Sequence, residues 1–189
     1  MIRIEVNTEL REAMKDLGLD LSTMQLMEKM QIASDSATSG IKEYAVKQIP
    51  KRFTADSGAL EKRKYTRIWT ESRAEYAEMK SEGKRLPLTA FKHSPTGITR
   101  RSERLSASVL KGSTVSKYPG FKQRMRGFLD SDHAGNLQIF QRTTKKPTPL
   151  RMLRGASVSE MLSKSEIKKS IRDRMIKAYI KRFEKELSK

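Results

Sequence analysis

Asp130-Ser131-Asp132-His133-Ala134-Gly135-Asn136-Leu137-Gln138-Ile139-Phe140-Gln141-Arg142 sets the fold class. Residues 130–136 are rich in side chains that favour turns, and 137–142 follow with the alternation of a half-buried strand. A turn that feeds a period of two predicts an antiparallel hairpin. Upstream, Phe121-Lys122-Gln123-Arg124-Met125 and Leu105 to Lys111 are further strand candidates, and Leu86-Pro87-Leu88 is extended around its proline. Tyr65 to Thr70 is dense in β-formers and predicts another strand. The middle of the chain is therefore expected to form one antiparallel sheet.

Outward from this region the period changes to that of helices. Ile2, Ile4 and Val6 alternate with Arg3 and Glu5 as one short strand, and Asn7 or Thr8 can then cap a short helix that stops at Gly18. Ser22 and Gln25 have capping-box spacing, and Met27, Met30, Ala33, Ala37, Ile41 and Ala45 continue one stripe to Ile49, where Pro50 is expected to end the helix. Gly40 permits a bend within it. Small residues from Ala33 to Gly40 allow close packing, and Met24, Met27 and Met30 are read as core filler. Residues 55–62 suggest a turn of helix, and 73–82 favour helix up to Gly83. Pro147 and Pro149 mark an extended link. Ser157 and Glu160 have capping-box spacing before a short helix ending near Leu162, and a final helix runs from Ser165 to Leu187. Its apolar side is expected at Ile167, Ile171, Ile176, Ile180, Phe183 and Leu187, and its polar side at Lys168, Lys169, Arg172, Lys177, Lys181 and Lys185. The resulting expectation is α+β: a small antiparallel β-sheet packed with a long helix in the N-terminal half and a C-terminal amphipathic helix, with extended loops. One domain covers 1–189, mainly helical over 1–62, mainly strands and loops over 63–150, and helical over 151–189.

Charge is distributed unevenly. Residues 1–60 hold 8 basic and 9 acidic side chains, whereas 61–189 hold 32 and 13, for a total of +18. The window 84–154 is densest, with 16 basic against 3 acidic. Such a concentration repels itself unless anions balance it. Nucleic acid, an acidic protein ring, or salt alone would each serve. Hydrophobic residues are 36% and aromatics 6% of the 189. Both are low, which predicts a thin core completed by a neighbouring subunit.

Several chemistries lack their residues. The chain contains no cysteine and two histidines, His93 and His133. Asp130, Asp132 and His133 form the one cluster of potential metal ligands, in a setting where Asp and His are ordinary turn residues. There is no phosphate-cradling P-loop, no GxGxxG and no GxSxG elbow. Glu75 with Glu78, and Glu184 with Glu186, are expected on solvent faces among lysines. No catalytic residue, metal or cofactor is assigned. No apolar run approaches the ~20 residues of a membrane span, and the first residues lack the apolar core of a signal peptide, so no membrane partner is expected.

Three elements between 85 and 162 carry a resemblance. Arg85-Leu86-Pro87-Leu88-Thr89-Ala90-Phe91 resembles the "pro-leu-ser-x-phe" element of the minor tail protein Z family of lambda-like bacteriophages and prophages. Phe121 to Met125, followed by His133 to Arg142, resembles that family's strand, turn and strand ending "val-phe-x-arg". Thr148-Pro149-Leu150 through Gly155-Ala156-Ser157-Val158 resembles its "leu-pro-ile-x-x-x-x-gly-pro-ser-val" element. Order and spacing agree. The chain departs from the family in having Ala156 where proline is usual, and in residues Gly127 to Asp132, which read as an insert lengthening the hairpin turn.

The resemblance implies a non-enzymatic virion protein that is made in the host cytoplasm and completes the tail at its head-proximal end. It implies a homo-oligomeric ring, usually six-fold, that touches the tail terminator, tail tube or neck and prepares head–tail joining. Leu86, Pro87, Leu88, Phe91, Phe140, Arg142, Pro149, Gly155 and Ser157 are its motif residues and are expected at subunit interfaces. Either the N-terminal strand or the middle hairpin is expected to extend a neighbour's sheet. Arg100, Arg101, Arg104, Lys122, Arg124 and Arg126 are candidates to face acidic neighbouring proteins or the end of the packaged DNA. The rival expectation is a basic nucleic-acid-binding protein acting on DNA without catalysis.

Overall fold

The computed structural model describes residues 1–5, 23–61, 65–98, 105–112, 127–144, 146 and 148–188. They form an α+β fold. In chain order the elements are β1 (Ile2–Glu5), α1 (Thr23–Thr38), α2 (Ile41–Arg52), α3 (Ser57–Glu61), β2 (Arg67–Arg73), β3 (Tyr76–Glu82), a 3-10 turn (Leu88–Ala90), β4 (Lys92–Ser94), β5 (Ser106–Ser108), β6 (Gly127–Ser131), β7 (Leu137–Arg142), β8 (Leu150–Met152), α4 (Val158–Leu162) and α5 (Ser165–Leu187). The chain divides into two units. Unit 1 holds Met1–Lys47, Arg67–Glu82 and Leu162–Lys189, and unit 2 holds Gln48–Thr66 and Gly83–Met161. The helix expected after Asn7 and the strand expected over 121–125 lie outside the described residues.

Unit 1 is a three-stranded sheet covered by helices. Its strand order is β1-β3-β2, all antiparallel, with Ile2 opposite Met79 and Ile4 opposite Ala77. These four side chains are buried. α1 lies against β2, β3 and α5, and α5 also meets β1. Ala33, Ser34 and Ala37 on α1 are fully buried, and their small side chains let the neighbouring backbones approach. α5 contributes Ile167, Ile171, Met175, Tyr179 and Phe183 to the buried set.

Several expectations change here. Residues 73–82, expected as a helix, form the last residue of β2, a turn at 74–75 and strand β3. The strand is hydrogen-bonded on both sides, and its Ala77 and Met79 join the buried face. Cross-strand pairing and burial outweigh the helical preference of Ala, Glu, Met and Lys. The long helix is two helices, divided at Gly40, whose φ of 65° fits a residue without Cβ. Pro50 sits inside α2 instead of ending it. It lies near the helix end, where its missing N–H removes one bond while Phe53 N still donates to Ile49 O at 2.9 Å. Met30 is buried, but Met24 and Met27 are exposed at 83% and 37%, so only the first is core.

The apolar stripe of α5 is also displaced. Ile180 is 47% exposed, and Ile176 and Leu187 are half-buried. The buried row runs in steps of four residues from Ile167 through Phe183. Such i+4 rows are the ridges that helices interlock, which favours this row over the 3.6-residue stripe. Glu78 and Glu186 are buried rather than solvent-facing. Glu78 pairs with Lys80 at 3.0 Å and Glu186 with Arg182 at 2.9 Å, and Lys29 Nζ donates to the Glu186 carbonyl.

Unit 2 is built from short strands. The one expected middle sheet is two: β4 pairs with β5, and β6-β7-β8 forms a meander, both antiparallel. Gly127 to Ser131 is strand β6, not an insert in the turn. Its residues pair one for one with Leu137–Gln141, and the turn shrinks to 132–136. There Asp132 Oδ1 accepts from Ala134 N at 3.0 Å and Asn136 N at 2.9 Å, and Gly135 has a φ of 76°. Leu150–Met152, just after the extended link expected at Pro147 and Pro149 and running into the region expected to be helical from 151, is strand β8. Thr54 N donates to Val109 O and Lys111 N to Arg52 O, so the expected strand 105–111 exists as β5 plus a bridge between Leu110 and Phe53.

Candidate functional site

The described parts of the three sequence elements that carry the resemblance meet inside unit 2; Phe121 to Met125 lie outside the described residues. Leu86 to Leu88 runs beside Leu153 to Ala156. Leu86 N donates to Ala156 O at 3.3 Å, Gly155 N to Leu86 O at 2.8 Å and Leu88 N to Leu153 O at 3.1 Å. Pro87, which lacks a donor, bridges Arg154 between these bonds. Leu153 N in turn donates to Ile139 O of β7 at 2.8 Å. The first element is thus bonded to the third, and the third to the second.

Gly155 has a steric reason. A Cβ built on it would overlap the edge of the Phe91 ring. Phe91 is 2% exposed, so the ring has little room to withdraw. Ser157 and Glu160 form the expected reciprocal box: Glu160 N donates to Ser157 Oγ at 3.1 Å, and Ser157 N donates to Glu160 Oε2 at 2.8 Å. The other carboxylate oxygen of Glu160 receives Arg85 Nη2 at 2.8 Å. The Ser157 amide, and then Arg85, hold the Glu160 carboxyl below its ordinary range.

Motif residues divide by exposure. Leu86, Pro87, Leu88, Phe91, Gly155 and Ser157 are buried, so their side chains build the chain itself. Phe140 is half-buried opposite Phe128, with ring centroids 6.2 Å apart, and the Arg142 guanidinium lies 6.0 Å from the Phe128 ring. Arg142 and Pro149 are the exposed members. The interface expectation therefore rests on the rim of this cluster and not on its centre. Sequence reading missed Arg85 as the partner of Glu160. The two are far apart along the chain, and only the pairing of the first and third elements brings them together.

The basic residues singled out from the sequence and the basic residues that the structure describes are different sets. Arg100, Arg101, Arg104, Lys122, Arg124 and Arg126 lie outside the described residues. Among the described residues, α5 exposes Lys168, Lys169, Arg172, Lys177, Lys181 and Lys185, interspersed with the exposed acids Glu166, Asp173 and Glu184. Beside it in unit 1 is an open cleft of about 810 Å³, lined by Tyr44 and by α5 residues that include Lys169, Asp173, Arg174, Lys177 and Lys181. Arg174 lies over the Tyr44 ring at 4.5 Å, and the Tyr44 hydroxyl pairs with Ser170 Oγ at 2.8 Å. These contacts tie Tyr44 to α5 within the lining of the cleft.

A second open cleft, of about 610 Å³, lies in unit 2 beside Thr54, Lys92, His93, Ser106 and Lys111. The His93 Nδ1 is 2.7 Å from Phe91 O, which orients the ring by a main-chain contact. Asp132 is occupied in closing its turn, and the amide of Asn136 foremost holds its carboxyl below the ordinary range. Among the described residues, no three His, Asp or Glu side chains group as metal ligands, and no helix is long and apolar enough to cross a membrane. No family model, no curated protein and no solved structure matches this chain.

Proposed function

We propose that this chain is a structural, non-enzymatic protein of a tailed bacteriophage that completes the tail at its head-proximal end. In this reading it assembles as a ring, six-fold in the related proteins, which contacts the tail terminator, tail tube or neck and prepares the tail for joining the head. The observation that carries the reading is the meeting of the three resembling elements. They are separated in sequence, yet their backbones bond into one cluster whose glycine, proline and capping serine each have a steric or hydrogen-bonding role. Cations exposed on α5 supply a surface for acidic neighbours within the virion. Electron microscopy of the purified protein, alone and mixed with tail tubes, tests the proposal. Closed rings, or caps seated at one tube end, are the expected result.

The rival reading is a non-catalytic DNA-binding protein, favoured by the charge of +18. In that case a monomer binds free duplex, and its affinity falls steeply as salt rises because phosphate contacts release counterions. A monomer with tight, salt-sensitive DNA binding and no affinity for tubes would replace the tail-completion reading.

A further inference from the structure

The two clefts differ in the charge of their walls. In unit 1, Glu166 and Asp173 stand among the lysines and arginine of the lining. In unit 2, Lys92 and Lys111 are exposed at the cleft of about 610 Å³, and no Asp or Glu lines it among the described residues. Neither lysine is ion-paired there among the described residues. Both lysines belong to the window 84–154, with its 16 basic and 3 acidic residues, so the surrounding charge reinforces theirs. The ribbon of β4 and β5 adds hydroxyls. Lys92 lies opposite Ser108 and Ser94 opposite Ser106. Alternation puts these four side chains on one side of the ribbon, with facing pairs about 5 Å apart. His93 and Ala107 fall on the other side, where Ala107 is buried and His93 Nδ1 donates to Phe91 O at 2.7 Å. The Thr54 hydroxyl ties the strands at the Lys92 pair: it accepts from Lys92 N at 3.2 Å and donates to Ser108 O. Lys111 N donates to Arg52 O at 2.8 Å, which anchors the second lysine. Ser108 Oγ is engaged with Leu110 O at 2.7 Å, whereas Ser106 Oγ reaches Ser94 O only at 3.5 Å, the limit of a hydrogen bond.

We propose that this cleft binds the phosphate group of a nucleotide, either free or within a nucleic-acid strand. The Lys92 and Lys111 ammoniums supply charge, and the Ser94 and Ser106 hydroxyls donate to the phosphate oxygens. A planar carboxylate is matched best by an arginine fork, and no arginine lines the cleft among the described residues. A tetrahedral phosphate accepts from several directions, which separate ammonium and hydroxyl donors provide. The cleft volume suits a ligand of nucleotide size. No Phe, Tyr or Trp lines it among the described residues, so a base finds no stacking surface and the phosphate is read without regard to sequence.

The inference stands apart from ring assembly, and calorimetric titration of the full chain tests it. The probes are adenosine monophosphate, adenosine as the phosphate-free control, a single-stranded oligothymidylate, and polyglutamate. Wild type is compared with Lys92→Ala/Lys111→Ala, with the charge-preserving Ser94→Ala/Ser106→Ala, and with Lys177→Ala/Lys181→Ala, which removes equal charge from α5. Circular dichroism establishes folding, and if the first variant does not fold the serine variant decides alone. Wild type is expected to bind a phosphate probe and not adenosine. Affinity should fall roughly tenfold or more in the Lys92 and Lys111 variant and roughly threefold in the serine variant. The α5 variant should stay within about twofold, since its charges are screened from the cleft. Binding of the monophosphate identifies a free nucleotide as ligand, and binding of the oligothymidylate alone identifies a strand. Equal losses in the unit 2 and α5 lysine variants would reduce the binding to bulk charge and overturn the inference. Failure of both phosphate probes to bind overturns it too, and polyglutamate bound in their place would assign the cleft to an acidic protein.

Discussion

Unit 1 and unit 2 are held together in different ways. In unit 1 a 23-residue helix, α5, lays a row of large side chains beside α1 and β1, and burial of apolar surface dominates. In unit 2 the strands are three to six residues long, and the pieces are joined by single main-chain bonds, a glycine fitted to a ring and a capping box. Burial is non-directional and tolerates exchange of one apolar side chain for another of similar volume. Hydrogen bonds and close backbone contacts are directional and fail with small displacements. Substitutions in unit 1 should therefore be graded by volume, and those in unit 2 by geometry.

The largest effect is expected in unit 1. Met175 is fully buried in the i+4 row of α5, so Met175→Ala should cost roughly 2–5 kcal/mol through lost transfer energy and a residual cavity. Ile180 lies on the same helix but outside the row, and Ile180→Ala should stay within about 0.5 kcal/mol. Urea denaturation of both variants measures the difference. Equal losses would show that the row does not mark the helix's buried side, and the volume rule for unit 1 would fail.

A smaller effect with a stricter signature is expected in unit 2. Gly155→Ala adds one methyl group that meets the Phe91 ring, and overpacking of this kind costs about 1–3 kcal/mol. The double variant with Phe91→Leu should recover part of that loss, because a shorter side chain clears the contact. A double-mutant cycle reads the coupling directly. Additive losses would mean that Gly155 is required for another reason, and the geometric rule would lose its best example.

These contrasts also explain what could be read from the sequence. The bounds of α5 and β7 were legible to the residue, although the buried row of α5 was not. The Ser157–Glu160 box was legible too, since its spacing is its whole signal. β3 was not legible. Tyr76 to Glu82 is rich in helix formers, and its strand state depends on pairing with the adjacent β2 and with β1 from the far N-terminal end. There Glu71 lies directly opposite Glu78, an unfavourable pair made tolerable by Lys80, whose Nζ is 3.0 Å from a carboxylate oxygen of each. Lys80 foremost holds the Glu71 carboxyl below its ordinary range. No local pattern reports such a cross-strand bridge. In the cluster around Leu86 and Gly155 the burial of the expected interface residues was not foreseen, since sequence spacing does not report which side of a residue faces inward.

The smallest effect tests the volume rule of unit 1 at its polar edge. Tyr179 packs against Phe183 with ring centroids 5.7 Å apart, and its hydroxyl is buried with no hydrogen-bond partner among the described residues. A buried donor left unsatisfied is a standing cost. Burial also pushes the phenol up to about 12. The unfolded chain ionises near the ordinary value of about 10, so it gains stability before the folded chain can. The contribution of Tyr179 is therefore intact below pH 10 and is lost as pH rises from there towards 12. Tyr179→Phe keeps the ring stack and removes the hydroxyl. At neutral pH it should leave stability unchanged or raise it by up to about 1 kcal/mol, within the range for relieving an unsatisfied group. Above pH 10 the variant's loss of stability should be shallower than that of wild type. A clear neutral-pH loss for Tyr179→Phe would mean that the hydroxyl has a partner after all, and that this corner of unit 1 is governed by direction as strictly as unit 2.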